Sequence, residues 1–314
     1  MSQKTLIGGQ AVIEGVLMRN GENLSLAVRQ PDGSIFLSND RHQSIIQRYP
    51  VLGLPFIRGT VNLFEALIMG MKALTQSANL SAETKEEELS SKEIAVTIFF
   101  SLLFGIGLFV ILPAGLTKFL SGFQGILFSL VEGILRIFIL LCYILLLSRM
   151  KDIQRVFQYH GAEHKTISAY EADEELTVEN IKKYSTLHPR CGTSFILFVM
   201  IVKIIAFSFI SSSVAWLEIL LRILMLPFIA GIAYEIIRFT GKHCTTNFFG
   251  RILIAPGLLL QKLTTREPDD QQIEAAIVAT QSVLGIPITI GNVKTEATID
   301  AVEPEVTNHA QFQD

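Results

Sequence analysis

The sequence predicts a mainly α protein: a four-span helical membrane bundle with a small N-terminal β-containing cytoplasmic module and a disordered C-terminal tail. Three observations predict it. Half of the residues are hydrophobic and mean hydropathy is +0.44, with apolar runs of roughly 18 residues or more, enough to cross a bilayer core. Near the start, "NLSLAVRQPDGSIFLS" alternates apolar and polar residues around Pro31-Asp32-Gly33, which is hairpin patterning with turn chemistry in the middle. From about Gly291 onward the chain is polar and acidic, without the apolar content to order itself.

Residues 1–93 read as the cytoplasmic module. "GGQAVIEGVLMR" adds a further strand to the hairpin, and the first fifteen residues lack the apolar stretch of a cleavable signal, so insertion relies on internal spans. From Pro55 to Leu80 the pattern turns helical, with Leu63, Leu67, Met71 and Leu74 near one face. That helix either lies on the membrane or re-enters it. "ETKEEELSSKE" follows as a charged, solvated linker.

Residues 94–263 read as the membrane domain. Spans are expected over about Ile94–Leu116, Phe123–Leu147, Ser194–Ser211 and Val214–Ile237, the last interrupted by Pro227. The first connection holds Lys118 and the "SSSV" turn near Ser211 holds no basic residue. By contrast, Arg149 to Thr193 carries seven: Arg149, Lys151, Arg155, Lys165, Lys182, Lys183 and Arg190. The bias of lysine and arginine toward cytoplasmic loops puts this 149–193 loop and both termini in the cytoplasm, with the protein multi-pass in the cell membrane. "FFGRILIAPGLLLQKL" is apolar but broken by Pro256-Gly257 and is expected at the interface. Residues 264–314 make a cytoplasmic helix and the acidic tail.

Charges inside the spans are costly and avoid lipid, so Glu132, Arg136, Lys203, Arg222 and Glu235 are expected to face the bundle interior or an aqueous path. Glu132 and Arg136 in the second span match Glu218 and Arg222 in the fourth, each pair at i, i+4 on one helix face. This suggests either a parallel repeat of two helical hairpins or a chance likeness of two Leu/Ile-rich helices.

A net charge of −3 excludes a strongly basic nucleic-acid binder, and no nucleic-acid partner is expected. The lipid bilayer is the evident partner, and self-association into a homo-oligomer is open. Cys142, Cys191 and Cys244 are widely spaced and odd in number, which suits reduced thiols.

The chemistry concentrates in "YHGAEHKTI", Tyr159 to Ile167. If Arg149 onward is helical, His160 and His164 at i, i+4 share a face with Glu163 beside them. This is the H-x-x-E-H order, in which two imidazoles bind zinc and the glutamate is the general base. Gly161 weakens that turn. Further ligands come from "LHPRCG": His188 ranks first and Cys191 second, since both return to the surface carrying His164. Glu235 is a third option. The plainer reading is that these histidines face lipid headgroups or hydrogen-bond within the loop. His42, His309 and the adjacent His243-Cys244 carry no assigned role.

Together "GGQAVIEGVLMR", "YHGAEHKTI", "LHPRCGTSF" and "APGLLLQKLTTREPDD" resemble the YqhQ-like family of bacterial membrane proteins, over roughly Gly8 to Asp270. The resemblance implies a multi-pass protein of the cytoplasmic membrane, a predicted metal-dependent enzyme with the HGAEHK and HPRCG segments as its metal-binding parts. It implies no substrate.

Three functions follow as expectations. The first is a metal-dependent hydrolase at the inner membrane surface, with His160, His164, His188 and Cys191 around zinc or another divalent metal and Glu163 as base. Its substrate would be lipid-linked or a membrane protein. The second is a transport or channel-like protein using the intramembrane charges. The third is a scaffold in which four protein ligands close a structural metal site.

Overall fold

The computed structural model describes residues 5, 7–82, 84, 89–121, 125–210, 215–243 and 248–295. The protein is mainly helical and carries a small sheet. The chain opens with four antiparallel strands in sequence order, β1 (Gly8–Val12), β2 (Gly15–Asn20), β3 (Asn23–Arg29) and β4 (Ile35–Arg41). "GGQAVIEGVLMR", expected to add one strand, forms two, joined by a tight turn in which Glu14 takes φ 51°. The second turn uses Gly21 at φ 61° and the third Gly33 at φ 82°, the left-handed conformation that glycine adopts without a Cβ penalty. Asp32 locks this last turn by accepting from the Ser34 N–H at 2.9 Å and hydroxyl at 2.6 Å. A fifth strand, β5 (Val293–Thr295), joins β4 in parallel. Disorder was expected from Gly291; that expectation fails for 293–295, where the β4 edge supplies the missing partner. Residues 296–314 lie outside the described ones.

Both faces of the sheet are covered. Alternation along β2 sends Val16 and Met18 to one side and Leu17 to the other. The first side packs against α6 (Lys151–Glu171) and α11 (Asp270–Leu284) through Tyr159, Ala162, Ile273 and Ile277. α11 starts at a capping box between Asp269 and Gln272 and ends at left-handed Gly285. The N-terminal strands and the C-terminal helix, far apart in the chain, thus build one core.

The second side meets the C-terminal half of α2 (Ile57–Leu80) at Met69 and Ala73. α2 packs by Gly59, Glu65, Met69, Ala73 and Ser77, while Leu63, Leu67 and Leu74 of the expected apolar face are exposed. Before it stand a single turn, α1 (Ile45–Arg48), and a 3-10 turn, Pro50–Gly53.

Among the described residues, three helical segments are long and apolar enough to cross a membrane: Ser91–Leu120, Gly125–Leu147 and Leu220–Thr240. The first combines α3 (Ser91–Ile106), a π-turn at Gly107–Ile111 and α4 (Leu112–Ser121). Pro113 has no N–H to give to the preceding turn, and the wide π-turn lies just upstream of it. Lys118, expected in the connection, lies in the last turn of α4. Ser90 and Glu93 of the expected linker form a capping box for α3; most of the linker before Leu89 lies outside the described residues. The second segment is α5 (Gly125–Leu147) and the third belongs to α9 (Ala215–His243), which continues through Pro227.

Among the described residues the candidate spans are therefore three, not the expected four. The Ser194–Ser211 segment is α8 (Gly192–Ser208), 17 residues long, where the Phe209 N–H turns back to the Ala206 carbonyl. At about 1.5 Å per residue such a helix falls short of a ~30 Å core. It packs among α5, α9 and α10 (Phe248–Thr264). The "SSSV" turn, Cys244 and the side chain of Glu218 lie outside the described residues, so the proposed repeat rests on its sequence alone. Glu132 and Arg136 are buried and paired with each other within α5. A short helix α7 (Val178–Lys182) fills the 149–193 loop.

Candidate metal centre

α6 runs unbroken through "YHGAEHKTI", so His160 and His164 do share one face. Gly161 does more than permit this. A Cβ there would sit 2.1 Å from the Arg266 carbonyl oxygen. The bare glycine lets the α10–α11 connection lie directly on α6, where the Arg266 N–H donates to the Phe157 carbonyl at 2.9 Å. That approach brings the Thr264 carbonyl within 2.8 Å of His160 Nδ1. His164 Nδ1 is likewise 2.6 Å from the Thr186 carbonyl. A carbonyl only accepts, so each imidazole donates from Nδ1 and keeps Nε2 as a lone-pair donor. The backbone thereby sets both tautomers.

Cys191 closes the group. It is the N-cap of α8, its sulfur accepting from the Thr193 N–H at 3.4 Å, at the positive end of the helix dipole. His160 Nε2 lies 3.2 Å from Cys191 Sγ, and the ligand atoms of His160, His164 and Cys191 all fall within 4.8 Å of one another. The two histidine rings are 4.3 Å apart between centroids.

His188 is placed differently from its first rank in the sequence reading. Its ring lies 5.7 Å from that of His164, outside the close group. Nδ1 accepts the Arg190 N–H at 3.4 Å and Nε2 lies 3.6 Å from Glu171. Burial holds the His164 and His188 imidazoles below the usual histidine range, which favours the neutral ring. Glu235 is engaged elsewhere, in a bidentate ion pair with Arg58 at 2.7 and 2.6 Å.

Glu163 is buried on the same helix, and its carboxylate accepts the Gly9 N–H of β1. Burial pushes its carboxyl above the usual range, opposed by any positive charge on His160 and His188. All five residues line one cavity of about 400 Å³, together with Gly8 and Gly9 of β1 and Arg190.

The supporting groups carried no signal that the sequence reading used. The Thr264 and Thr186 carbonyls are backbone. Gln261, fully buried, accepts the His188 N–H at 2.8 Å and donates to the His188 carbonyl at 2.9 Å and to Ser194 Oγ at 3.1 Å. It stood within the quoted "APGLLLQKLTT" stretch without an assigned role.

These residues fall within the part of the chain that its relatives share. The family model described as "Protein of unknown function (DUF1385)" matches residues 54–286. A protein of Bacillus subtilis (strain 168), "Uncharacterized protein YqhQ", is 36% identical over 299 residues, covering 88% of this chain and 92% of that one. No solved structure matches. On the extent of both matches, the chain belongs to the DUF1385 family, and the His160–His164–Cys191 group lies within the matched region.

Proposed function

We propose that the protein is a membrane-bound, metal-dependent hydrolase, with a divalent ion such as zinc held by His160, His164 and Cys191. The observation that carries this reading is the convergence of one ligand atom from each of His160, His164 and Cys191 within 4.8 Å, both imidazoles having Nδ1 against a backbone carbonyl. Bonds of this kind from the far ring nitrogen accompany histidine ligands because they fix the tautomer and aim the lone pair. Two nitrogens and a thiolate suit zinc, and three protein ligands leave a fourth position for water or substrate. An ion there would supply Lewis acidity and ease proton loss from water near neutral pH. Glu163, opening on the same cavity, takes that proton as general base. His188 stands behind His164 and tunes the site without ligating.

The seven lysines and arginines of the 149–193 loop support placing this site and the termini on the cytoplasmic side of the cell membrane, with the shorter apolar α8, packed between α5 and α9, as the fourth crossing that returns the chain to its starting side. The three apolar helices of the same chain favour a lipid-linked or membrane-protein substrate. Assembly as a homo-oligomer is compatible with this reading. A transport path has less behind it: the space beside Glu132, Arg136 and Lys203 is about 10 Å³, about the volume one water needs.

The test is metal content of purified full-length protein. About one divalent ion per chain is expected, lost in His160→Ala, His164→Ala and Cys191→Ala but kept in Glu163→Gln and His188→Ala. Wild-type protein that takes up no zinc, or variants that all retain it, would reject the reading.

A further inference from the structure

We infer that residues 45–64 form a re-entrant hairpin whose exposed apolar face is immersed in the hydrocarbon of one bilayer leaflet. This stands apart from the metal reading and rests on how α2 meets α9. The first turn of α2 crosses a segment long and apolar enough to span a membrane, at a point where two glycines meet. A Cβ on Gly59 would lie 2.6 Å from Tyr234 Cβ and 3.0 Å from Gly231 Cα; one on Gly231 would lie 1.7 Å from the Phe56 carbonyl oxygen. Close backbone approach over small residues is how helices associate where lipid, not water, surrounds them. Gly231 is nine residues from Thr240, the end of the apolar segment. At 1.5 Å per residue the crossing lies about 13 Å along that segment, well inside a ~30 Å core.

Polar groups along the hairpin are handled accordingly. Arg58 is matched by Glu235 of α9 in a two-pronged pair, and Thr60 donates its hydroxyl to the Pro227 carbonyl at 2.6 Å. Glu65 sits at the mouth, accepting from Ser44 Oγ at 2.9 Å and from the Ile45 N–H at 2.7 Å. It ties the descending arm to α2, about 12 Å above the start of the helix. Arg48 lies over the Tyr49 ring, 5.7 Å from its centroid, on a stem long enough to snorkel.

Apart from Gln47 and Arg48 near the mouth, what remains outward is mainly apolar. Val51, Leu54 and Phe56 at the tip and Phe64 on α2 are all about half exposed or more, and Leu67 and Ile68 extend the apolar face just past the mouth. In water this patch would be a liability. Sharing the depth of α9, it faces the medium that surrounds α9.

The test uses full-length protein in phosphatidylcholine vesicles brominated on the acyl chains. Trp216, the sole tryptophan, is replaced by Phe, and a new tryptophan is placed at Val51, with Leu54→Trp as the second position should the first not assemble. Ile223→Trp on α9 is the lipid control, and Ile288→Trp, beyond α11, is the aqueous control. Emission at the hairpin position is expected to be quenched at least twofold, close to the α9 control. Quenching no greater than at Ile288 overturns the inference. So does shielding from both acyl bromine and aqueous iodide, the mark of a protein neighbour covering the patch.

Discussion

His160 Nε2 lies 3.2 Å from Cys191 Sγ, across a separation of 31 residues and between two helices. The sulfur has two jobs there, and one substitution separates them. Serine is also a good N-cap, so Cys191→Ser keeps the start of α8 within about 1 kcal/mol. It replaces a thiolate ligand by a neutral hydroxyl, a much poorer donor to zinc at neutral pH. The expected outcome is a thermal midpoint near wild type, with zinc affinity, read by chelator competition, at least about tenfold weaker. Equal affinity in the two proteins would remove Cys191 from the metal site.

Gly161→Ala should destabilise. In an ordinary helix interior alanine is the better residue by up to about 1 kcal/mol. Here the added carbon meets the Arg266 carbonyl at 2.1 Å, and a carbonyl held in a backbone cannot step aside cheaply. Overpacking of this kind costs about 1–3 kcal/mol. The displaced connection should also pull the Thr264 carbonyl off His160 Nδ1, loosening its tautomer. Thermal melts in detergent with and without zinc check both effects. A variant as stable as wild type would mean that the α10–α11 connection does not rest on α6.

How much of this was legible beforehand depended on what kind of signal each feature left. Period-two alternation and Pro-Asp-Gly exposed the β3–β4 hairpin, and long apolar runs exposed α5 and α9, because both patterns are local. The i, i+4 histidines were legible once a helix was assumed, and α6 is that helix. The ranking of His188 over Cys191 was not recoverable. Both lie in one short stretch, and the choice turns on where Arg190 and Gln261 hold the loop backbone, a long-range matter. The apolar face of α2 was legible from its period, but not which residues pack: Gly59, Glu65, Met69, Ala73 and Ser77 make its contacts, and no local pattern marks small and polar residues as the buried side. α11 was legible as a helix, but its place in the core was not, since nothing in its own sequence names the sheet it packs on.

Gln261→Leu tests the loop support. Glutamine reaches the His188 N–H and carbonyl together, and Ser194, from a fully buried position. Leucine matches its size and leaves the His188 N–H and Ser194 Oγ without this partner, while the His188 carbonyl keeps the Cys191 N–H at 3.3 Å. The buried backbone N–H alone costs about 1–3 kcal/mol when orphaned. The loop should then sample positions that uncover Cys191. With Cys142 and Cys244 changed to Ala, maleimide labelling of Cys191 is expected to run several-fold faster than in the parent. An unchanged labelling rate would show that the loop is held by other contacts.

The Arg58–Glu235 pair makes a prediction about order of removal. Each side chain sits beside apolar surface on the crossing of α2 with α9, and each satisfies the other through two hydrogen bonds. Removing one partner leaves a charge that lipid cannot solvate. Intramembrane charges cost about 2.5–3.5 kcal/mol by insertion scales, less where snorkelling relieves them. Arg58→Met and Glu235→Gln should therefore each lower the thermal midpoint and the yield of membrane-inserted protein. The double variant, with neither charge, should recover most of the loss, because replacing a desolvated ion pair by apolar or neutral groups is often near neutral. A double-mutant cycle on midpoints measures the coupling, expected to exceed about 1 kcal/mol in favour of the pair. Additive losses, with no recovery in the double variant, would mean that the two charges are separately solvated and that the crossing is held by its glycines alone.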